Sequence, residues 1–129
     1  MYQEALKFIA KKHDGQKRRN ENPYIIHPIR VSQEVKSDLE KVVALLHDVV
    51  EDTKTTFKEV EVAFGSEVAL AVEAITCRPG EEYMDYIGRV KMNKIATSVK
   101  IADISDNLSD SPSSNSIERM AKALDFLVH

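Results

Sequence analysis

The sequence predicts an all-α fold, a single-domain helical bundle. Three observations carry that expectation. Apolar residues recur at helical spacing along the chain, with no stretch of strand-like alternation. Gly and Pro number only four each, too few for a turn-rich all-β domain. The 129 residues, 43% of them hydrophobic, suit one compact domain over 1–129 with a substantial core.

Taken in order, residues 2–13 form an amphipathic helix with Ala5, Phe8 and Ile9 on its apolar side. Residues 14–23, AspGlyGlnLysArgArgAsnGluAsnPro, read as loop. A helix over about 27–36 follows, and then one over 38–52 that starts near Ser37 or Asp38 as N-cap. Thr55 or Thr56 opens a short helix that stops at Gly65, and Ser66 caps the next, which runs to about Thr76. ArgProGlyGlu, 78–81, is a turn, and helices over roughly 82–93, 94–109 and 115–127 complete the chain. SerProSerSerAsnSer, 111–116, reads as the most flexible stretch.

Charge and composition exclude several function classes. The net charge is −3, yet residues 1–19 hold Lys7, Lys11, Lys12, Lys17, Arg18 and Arg19 against Glu4 and Asp14. That segment carries +4 and leaves −7 for the remainder, which disfavours a broad nucleic-acid surface. A local basic patch in an acidic chain suits a small polyanion, although Lys7, Lys11 and Lys12 also fit an ordinary solvated helix face. No apolar run approaches the ~18 residues of a membrane span, and the N-terminus lacks the apolar core of a signal peptide. The lone Cys77 rules out an internal disulfide framework and fits a cytoplasmic setting.

Chemistry concentrates in three segments. On a helix over 38–52, Leu39, Val42, Val43, Leu46, Val49 and Val50 fall in one arc, with His47, Asp48, Glu51 and Asp52 opposite. A solvated acidic face explains Glu51 and Asp52; it explains His47 less well, because Lys, Glu or Gln serve a solvated helix position better. His27 lies between apolar residues and precedes Pro28, at a helix start, where a hydrogen-bonded core histidine is the simpler alternative. On 100–108, Lys100, Asp103, Asp106, Asn107 and Asp110 share a polar stripe, and Asp103 alone could be a structural carboxylate. One site explains all three segments together. His27, His47, Asp48 and Asp103 then form a mixed nitrogen and oxygen ligand set that favours one Mn²⁺ per chain, with Fe²⁺, Co²⁺ or Zn²⁺ as alternatives. Glu51 and Asp52, one turn beyond, are placed to orient a water or move its proton.

At this point the chain resembles the HD superfamily, and within it the alarmone hydrolases: the hydrolase domain of RelA/SpoT-type proteins and its free-standing small relatives. The likeness runs from about Ala5 to Val128. It rests on HisAspGlyGln (13–16), ProTyrIleIleHisPro (23–28), LeuLeuHisAspValValGluAspThr (45–53), PheGlySerGluVal (64–68) and LysIleAlaAsp (100–103). The resemblance implies an HD-type helical bundle with His27, His47, Asp48 and Asp103 as Mn²⁺ ligands and Glu51 and Asp52 as the catalytic pair that handles the attacking water. It also implies that Arg18 and Arg19 meet the purine and phosphates of a small nucleotide and that Asn107 meets its sugar; Lys100 is grouped with these substrate contacts. The implied reaction removes pyrophosphate from the 3′ position of guanosine tetra- or pentaphosphate, giving GDP or GTP.

The departures are informative. RelA/SpoT proteins usually follow the last ligand with ArgLeuHisAsn, whereas here Asp103 is followed by IleSerAspAsnLeuSerAsp. An arginine and a histidine are replaced, and Asp106 adds negative charge. GluGluTyrMetAspTyrIleGlyArgVal (81–90) instead resembles a group of short bacterial HD proteins, and no counterpart of the synthetase half is expected in 1–129. Two other readings follow: an HD phosphohydrolase acting on ppApp, NADPH or a dNMP, or a metal-binding regulatory module without turnover. Intact Glu51 and Asp52 argue against the second, because pure binding does not need them.

Overall fold

Five consecutive residues, Val42 to Leu46, are buried on every side. A helical stretch with no solvent face must be surrounded, and the rest of the chain is arranged to do so. The computed structural model describes residues 1–18, 20–110 and 112–129. Among these the regular elements are α1 (Tyr2–Lys12), α2 (Ile26–Gln33), α3 (Asp38–Leu46), α4 (Val49–Asp52), α5 (Phe57–Phe64), α6 (Ser66–Ile75), α7 (Tyr83–Lys91), α8 (Lys94–Leu108) and α9 (Ser114–Val128). Helices α1, α2, α6 and α8 pack around α3; α8 in turn packs against α7 and α9. The all-α expectation holds. The one β feature among the described residues is an isolated bridge between Lys17 and Pro23, which folds the basic loop back on itself.

Local chemistry explains most helix ends. Ser37 and Glu40 form a reciprocal capping box that starts α3. Thr56 caps α5 by accepting from the Glu59 amide, and Asn93 caps α8 by accepting from the Ala96 amide. Gly65 ends α5 at φ 95°, a left-handed value that a side chain resists. Three expected boundaries differ. Gly65, not Ser66, stands at the N-cap of α6, and Ser66 makes no side-chain cap there. Helix α2 stops at Gln33, ahead of Ser37, whose extended backbone starts a new helix. The stretch expected to be most flexible is partly helical: Ser113 caps α9, which already includes Ser114 to Ser116, while Ser111 lies outside the described residues.

The largest correction concerns the expected single helix over 38–52. It breaks after Leu46: His47 closes α3 and Asp48, at φ −109° and ψ 4°, precedes the single turn α4. Neighbouring side chains on a regular helix point ~100° apart. The break turns both His47 and Asp48 toward one point, with His47 Nε2 and Asp48 Oδ2 3.1 Å apart. His47 therefore lies inside the core and not on an outward polar arc.

A second structural device braces the far side. Arg89 on α7 forms a two-pronged pair with Glu81, Nε to Oε2 at 3.0 Å and Nη2 to Oε1 at 2.8 Å, and donates to the carbonyls of Glu73, Ala74 and Thr76 at the end of α6. It ties the 78–81 turn to two helices.

The packing yields a stability prediction. Ile87 is fully buried on α7, away from the histidines, whereas Val62 on α5 is 77% exposed. Ile87→Ala is expected to cost about 2–5 kcal/mol in denaturant unfolding, and Val62→Ala less than about 0.5 kcal/mol. Equal effects would show that the core does not lie where the burial places it.

Candidate metal and active site

Three helical segments bring imidazoles and carboxylates to one buried point. His27, in the first turn of α2, places Nε2 2.8 Å from Asp103 Oδ1. His47 places its Nε2 3.2 Å from the same oxygen, and the two rings stand 5.1 Å apart. Asp48 adds Oδ2 beside His47 and accepts from the Tyr24 hydroxyl at 2.6 Å. Helix α8 supplies Asp103, whose Oδ2 accepts from Lys100 Nζ at 2.9 Å and whose Oδ1 accepts from Asn107 Nδ2 at 3.3 Å.

The far nitrogens of the histidines decide what this cluster can hold. His47 Nδ1 lies 2.6 Å from the Ala44 carbonyl, which only accepts, so Nδ1 carries a proton and donates. His27 Nδ1 donates in the same way to Asp106 Oδ2 at 2.7 Å. A neutral ring so protonated turns the lone pair of Nε2 toward Asp103, lone pair against lone pair. That arrangement requires a cation, either a second proton on each ring or a metal ion shared by both. The ligand atoms of His27, His47 and Asp103 lie within 4.8 Å of one another and could hold a metal. Nitrogen and oxygen donors already oriented by hydrogen bonds fit a divalent transition metal.

Electrostatics point the same way. Burial opposes charge on His47, but Asp48 and Asp103 outweigh it and hold the imidazole pKa well above its ordinary value. Burial works against the Asp48 carboxylate too, yet His47 and the Tyr24 hydroxyl bring it down to about 2. Asp103 is held well below the usual carboxylate range, against its burial, by Lys100 and His47. Lys100, partly exposed to the pocket, is kept charged by Asp103 against desolvation and lies over the Tyr86 ring at 5.2 Å. Asp48 and Asp103 thus favour positive charge between the two imidazoles.

Glu51 and Asp52 behave differently. Both are exposed residues, and partial desolvation of their carboxyls, with Asp48 nearby, raises both; Asp52 reaches about 6. An open pocket of about 370 Å³ is lined by Arg18, Tyr24, His27, Asp48, Glu51, Lys100, Asp103, Asn107 and Asp110. Glu51 also lines an adjoining pocket of about 420 Å³ with Val50, Phe57, Thr76, Cys77, Arg78 and Pro79. Glu51 thus stands between a polar pocket and a more apolar one, whereas Asp52 lines neither of the two.

Of the residues expected to meet substrate, Lys100 and Asn107 face the polar pocket. Arg18 faces it as well, but with 10% side-chain exposure it is already engaged. Its guanidinium reaches Asp106 Oδ2 at 3.2 Å, Asn107 Oδ1 at 3.1 Å and Asp110 Oδ2 at 3.4 Å. Arg19 lies outside the described residues. Sequence reasoning did not assign roles to Asp106, which orients His27 and also pairs with Arg30 Nε at 2.9 Å, or to Tyr24. Their positions carried a signal: Asp106 lies three residues beyond Asp103, one turn along α8, and Tyr24 three before His27, across the turn that leads into α2.

Known proteins are similar to this chain in sequence and in fold. A family model described as HD domain matches residues 5–124. A guanosine-3′,5′-bis(diphosphate) 3′-pyrophosphohydrolase of Aquifex aeolicus is 46% identical over 78 residues, 57% of this chain and 11% of that protein. One of the same description from Danio rerio is 43% identical over 81 residues, 57% of this chain and 45% of that protein. The chain therefore spans from about a tenth to just under half of the length of these curated relatives. A solved structure, described as a metazoan ortholog of SpoT that hydrolyzes ppGpp and plays a role in starvation responses, superposes with a TM-score of 0.84 at 31% identity, covering 98% of this chain and 84% of that one. With the match spanning nearly the whole chain and the histidine–aspartate cluster at its centre, this protein belongs to the HD domain family.

Proposed function

We propose that the chain is a Mn²⁺-dependent (p)ppGpp 3′-pyrophosphohydrolase built on a single HD domain. The observation that carries this reading is the convergence of His27, His47, Asp48 and Asp103 beside a raised acidic pair. The activities named for the relatives that share this domain support it. His27 Nε2, His47 Nε2, Asp48 Oδ2 and Asp103 Oδ1 are the proposed ligand atoms. A bound Mn²⁺ supplies a Lewis acid that lowers the pKa of water and offsets phosphoryl charge.

The chain's own residues do the rest. Asp52, as the carboxylate, accepts the proton of the attacking water, and Glu51 holds that water from the other side. Lys100 and Asn107 orient the nucleotide along α8, and Arg18 presents a fixed cation at the pocket rim. The water oxygen bonds to phosphorus as the bond from phosphorus to the 3′ oxygen breaks; the 3′ oxygen takes a proton to become the hydroxyl, and pyrophosphate is released. Because Arg18 is clasped by Asp106, Asn107 and Asp110, it reads phosphate or a purine face and not the hydrogen-bonding edge of a base.

Three outcomes are expected. His47→Ala and Asp48→Ala lose metal and activity together, whereas Glu51→Gln and Asp52→Asn keep metal and lose kcat on the order of 10²-fold or more. Elemental analysis beside single-turnover rates separates the two groups, and full metal in His47→Ala would remove the ligand assignment.

The second outcome concerns pH. Asp52 must be ionised to accept a proton, so kcat/KM rises as pH passes upward through its pKa. In the metal-free protein that group titrates at about 6, raised by desolvation, Asp48 and Glu51. A divalent cation beside Asp48 offsets the negative field and moves the titration lower. Carboxyl-carbon NMR with and without a diamagnetic divalent ion tests this, and an upward move contradicts the placement of the cation.

The third outcome is selectivity. With Mn²⁺, ppGpp and ppApp are expected to react with kcat/KM values within about tenfold, ~1.4 kcal/mol, while GTP and ATP stay intact. Side-by-side product analysis decides it. Rapid loss of GTP would defeat the requirement for a 3′-pyrophosphate.

A further inference from the structure

The motif HisAspGlyGln (13–16) meets none of the proposed ligands directly, yet its contacts lead to the acidic pair. Gln16 Nε2 donates to the main-chain carbonyl of Asp52 at 3.0 Å. Asp52 is the last residue of α4, a helix of four residues, so its carbonyl is one that the helix itself leaves without an amide. A carbonyl only accepts, which fixes the Gln16 amide with its nitrogen toward Asp52 and its oxygen toward His13. His13 Nδ1 lies 2.9 Å from that oxygen and therefore carries the proton.

The other side of the ring completes the deduction. His13 is buried, and its Nε2 has no hydrogen-bond partner. A proton there would leave a buried N–H without an acceptor, a costly arrangement. The ring is consequently neutral, with its single proton on Nδ1. Burial lowers its pKa in the same sense, against the opposing contact with Gln16. The ring also rests on Tyr24, centroid to centroid 4.5 Å, and the Tyr24 hydroxyl donates to Asp48. One loop therefore holds both ends of the short segment from Asp48 to Asp52: Tyr24 on the carboxylate of the first, Gln16 on the carbonyl of the last.

We propose that His13 and Gln16 are positioning residues for the acidic pair, His13 orienting the Gln16 amide and the amide fixing the Asp52 main chain so that its carboxylate faces the attacking water. The inference deepens the hydrolase reading and rests on it. Neither residue touches substrate; each acts through the next. A single-turn helix with exposed carboxylates has little else in its own structure to set their direction, and small misplacements of a reacting group are costly in rate.

The test uses the full chain with Mn²⁺ in four forms: wild type, Gln16→Ala, His13→Asn and His13→Phe. Asparagine places a side-chain N–H near the position of Nδ1. Phenylalanine keeps a ring against Tyr24 but has no donor. Gln16→Ala and His13→Phe are expected to lower kcat on the order of ten- to a hundredfold with KM and metal content unchanged, and His13→Asn to retain more kcat than either. A role in packing alone reverses the order, Phe outperforming Asn, and overturns the proposal. Solvent exchange of the Gln16 side-chain amide protons, followed by NMR, gives a readout free of turnover. Exchange is expected to be slow in wild type and His13→Asn and fast in His13→Phe, while the Asp52 carbonyl carbon shifts in Gln16→Ala. Equal exchange in the three forms that keep Gln16, or an unmoved Asp52 carbonyl in Gln16→Ala, overturns the proposal. Should the wild-type chain leave every nucleotide intact, the hydrolase reading fails by itself, and these two NMR measurements decide the His13–Gln16–Asp52 link.

Discussion

One oxygen organises this molecule. Asp103 Oδ1 stands 2.8 Å from His27 Nε2, 3.2 Å from His47 Nε2 and 3.3 Å from Asn107 Nδ2, at the nearly buried floor of the polar pocket. Both imidazoles spend their only neutral-state proton on the far side, one on Asp106 and one on the Ala44 carbonyl. The near side is left electron-rich, and burial makes that arrangement costly without a cation. The adjoining structure serves this requirement: α2 presents His27, α8 presents Asp103, and the helix that carries His47 breaks so that Asp48 can join. Regular helix through 47 and 48 would aim those two side chains about 100° apart.

The same constraint explains why so much charge is buried in so small a domain. Asp106, which from the sequence looks like an added repulsion for a phosphate substrate, is committed to His27, Arg18 and Arg30. Arg18 in turn is committed to Asp106, Asn107 and Asp110, and Lys100 to Asp103. Each buried charge meets an opposite charge or a hydrogen-bond partner, as burial demands. The acidic pair is the exception. Glu51 and Asp52 reach the surface and are raised by desolvation and by Asp48, and Asp52 is held through its main-chain carbonyl. Neither carboxylate is locked in a strong ion pair, which would pin its protonation state, and this suits the proton-transfer role proposed for the pair.

Helix-level order could be read from the chain because its causes are local. The Ser37–Glu40 capping box, the left-handed Gly65 and the Asn93 cap each act within three or four residues, and they place the helix starts and stops close to the observed ones. The apolar spacing of Val42, Val43 and Leu46 likewise announced the face of α3 that meets the core. His27, His47, Asp48 and Asp103 were legible as a set because imidazoles and carboxylates embedded in apolar runs lack an inexpensive alternative partner. The break after Leu46 was not legible. ValAlaLeuLeuHisAspValVal contains no Gly or Pro to mark a break, and the break coincides with the contact of His47 to Asp103, 56 residues away.

By itself the sequence determined the all-α class, the main helices and the identity of the histidine–aspartate cluster, since periodicity, caps and unpartnered polar residues are properties of short segments. Tertiary structure alone decided three things: that Arg18 is clasped and not free, that Asp106 supports a histidine, and that His13 reaches Asp52 through Gln16. Arg18 and Asp106 are 88 residues apart, His27 and Asp106 79, and Gln16 and Asp52 36. Contacts at such separations are set by how helices pack, and their geometry decides whether a charge is available to a substrate or already satisfied within the fold.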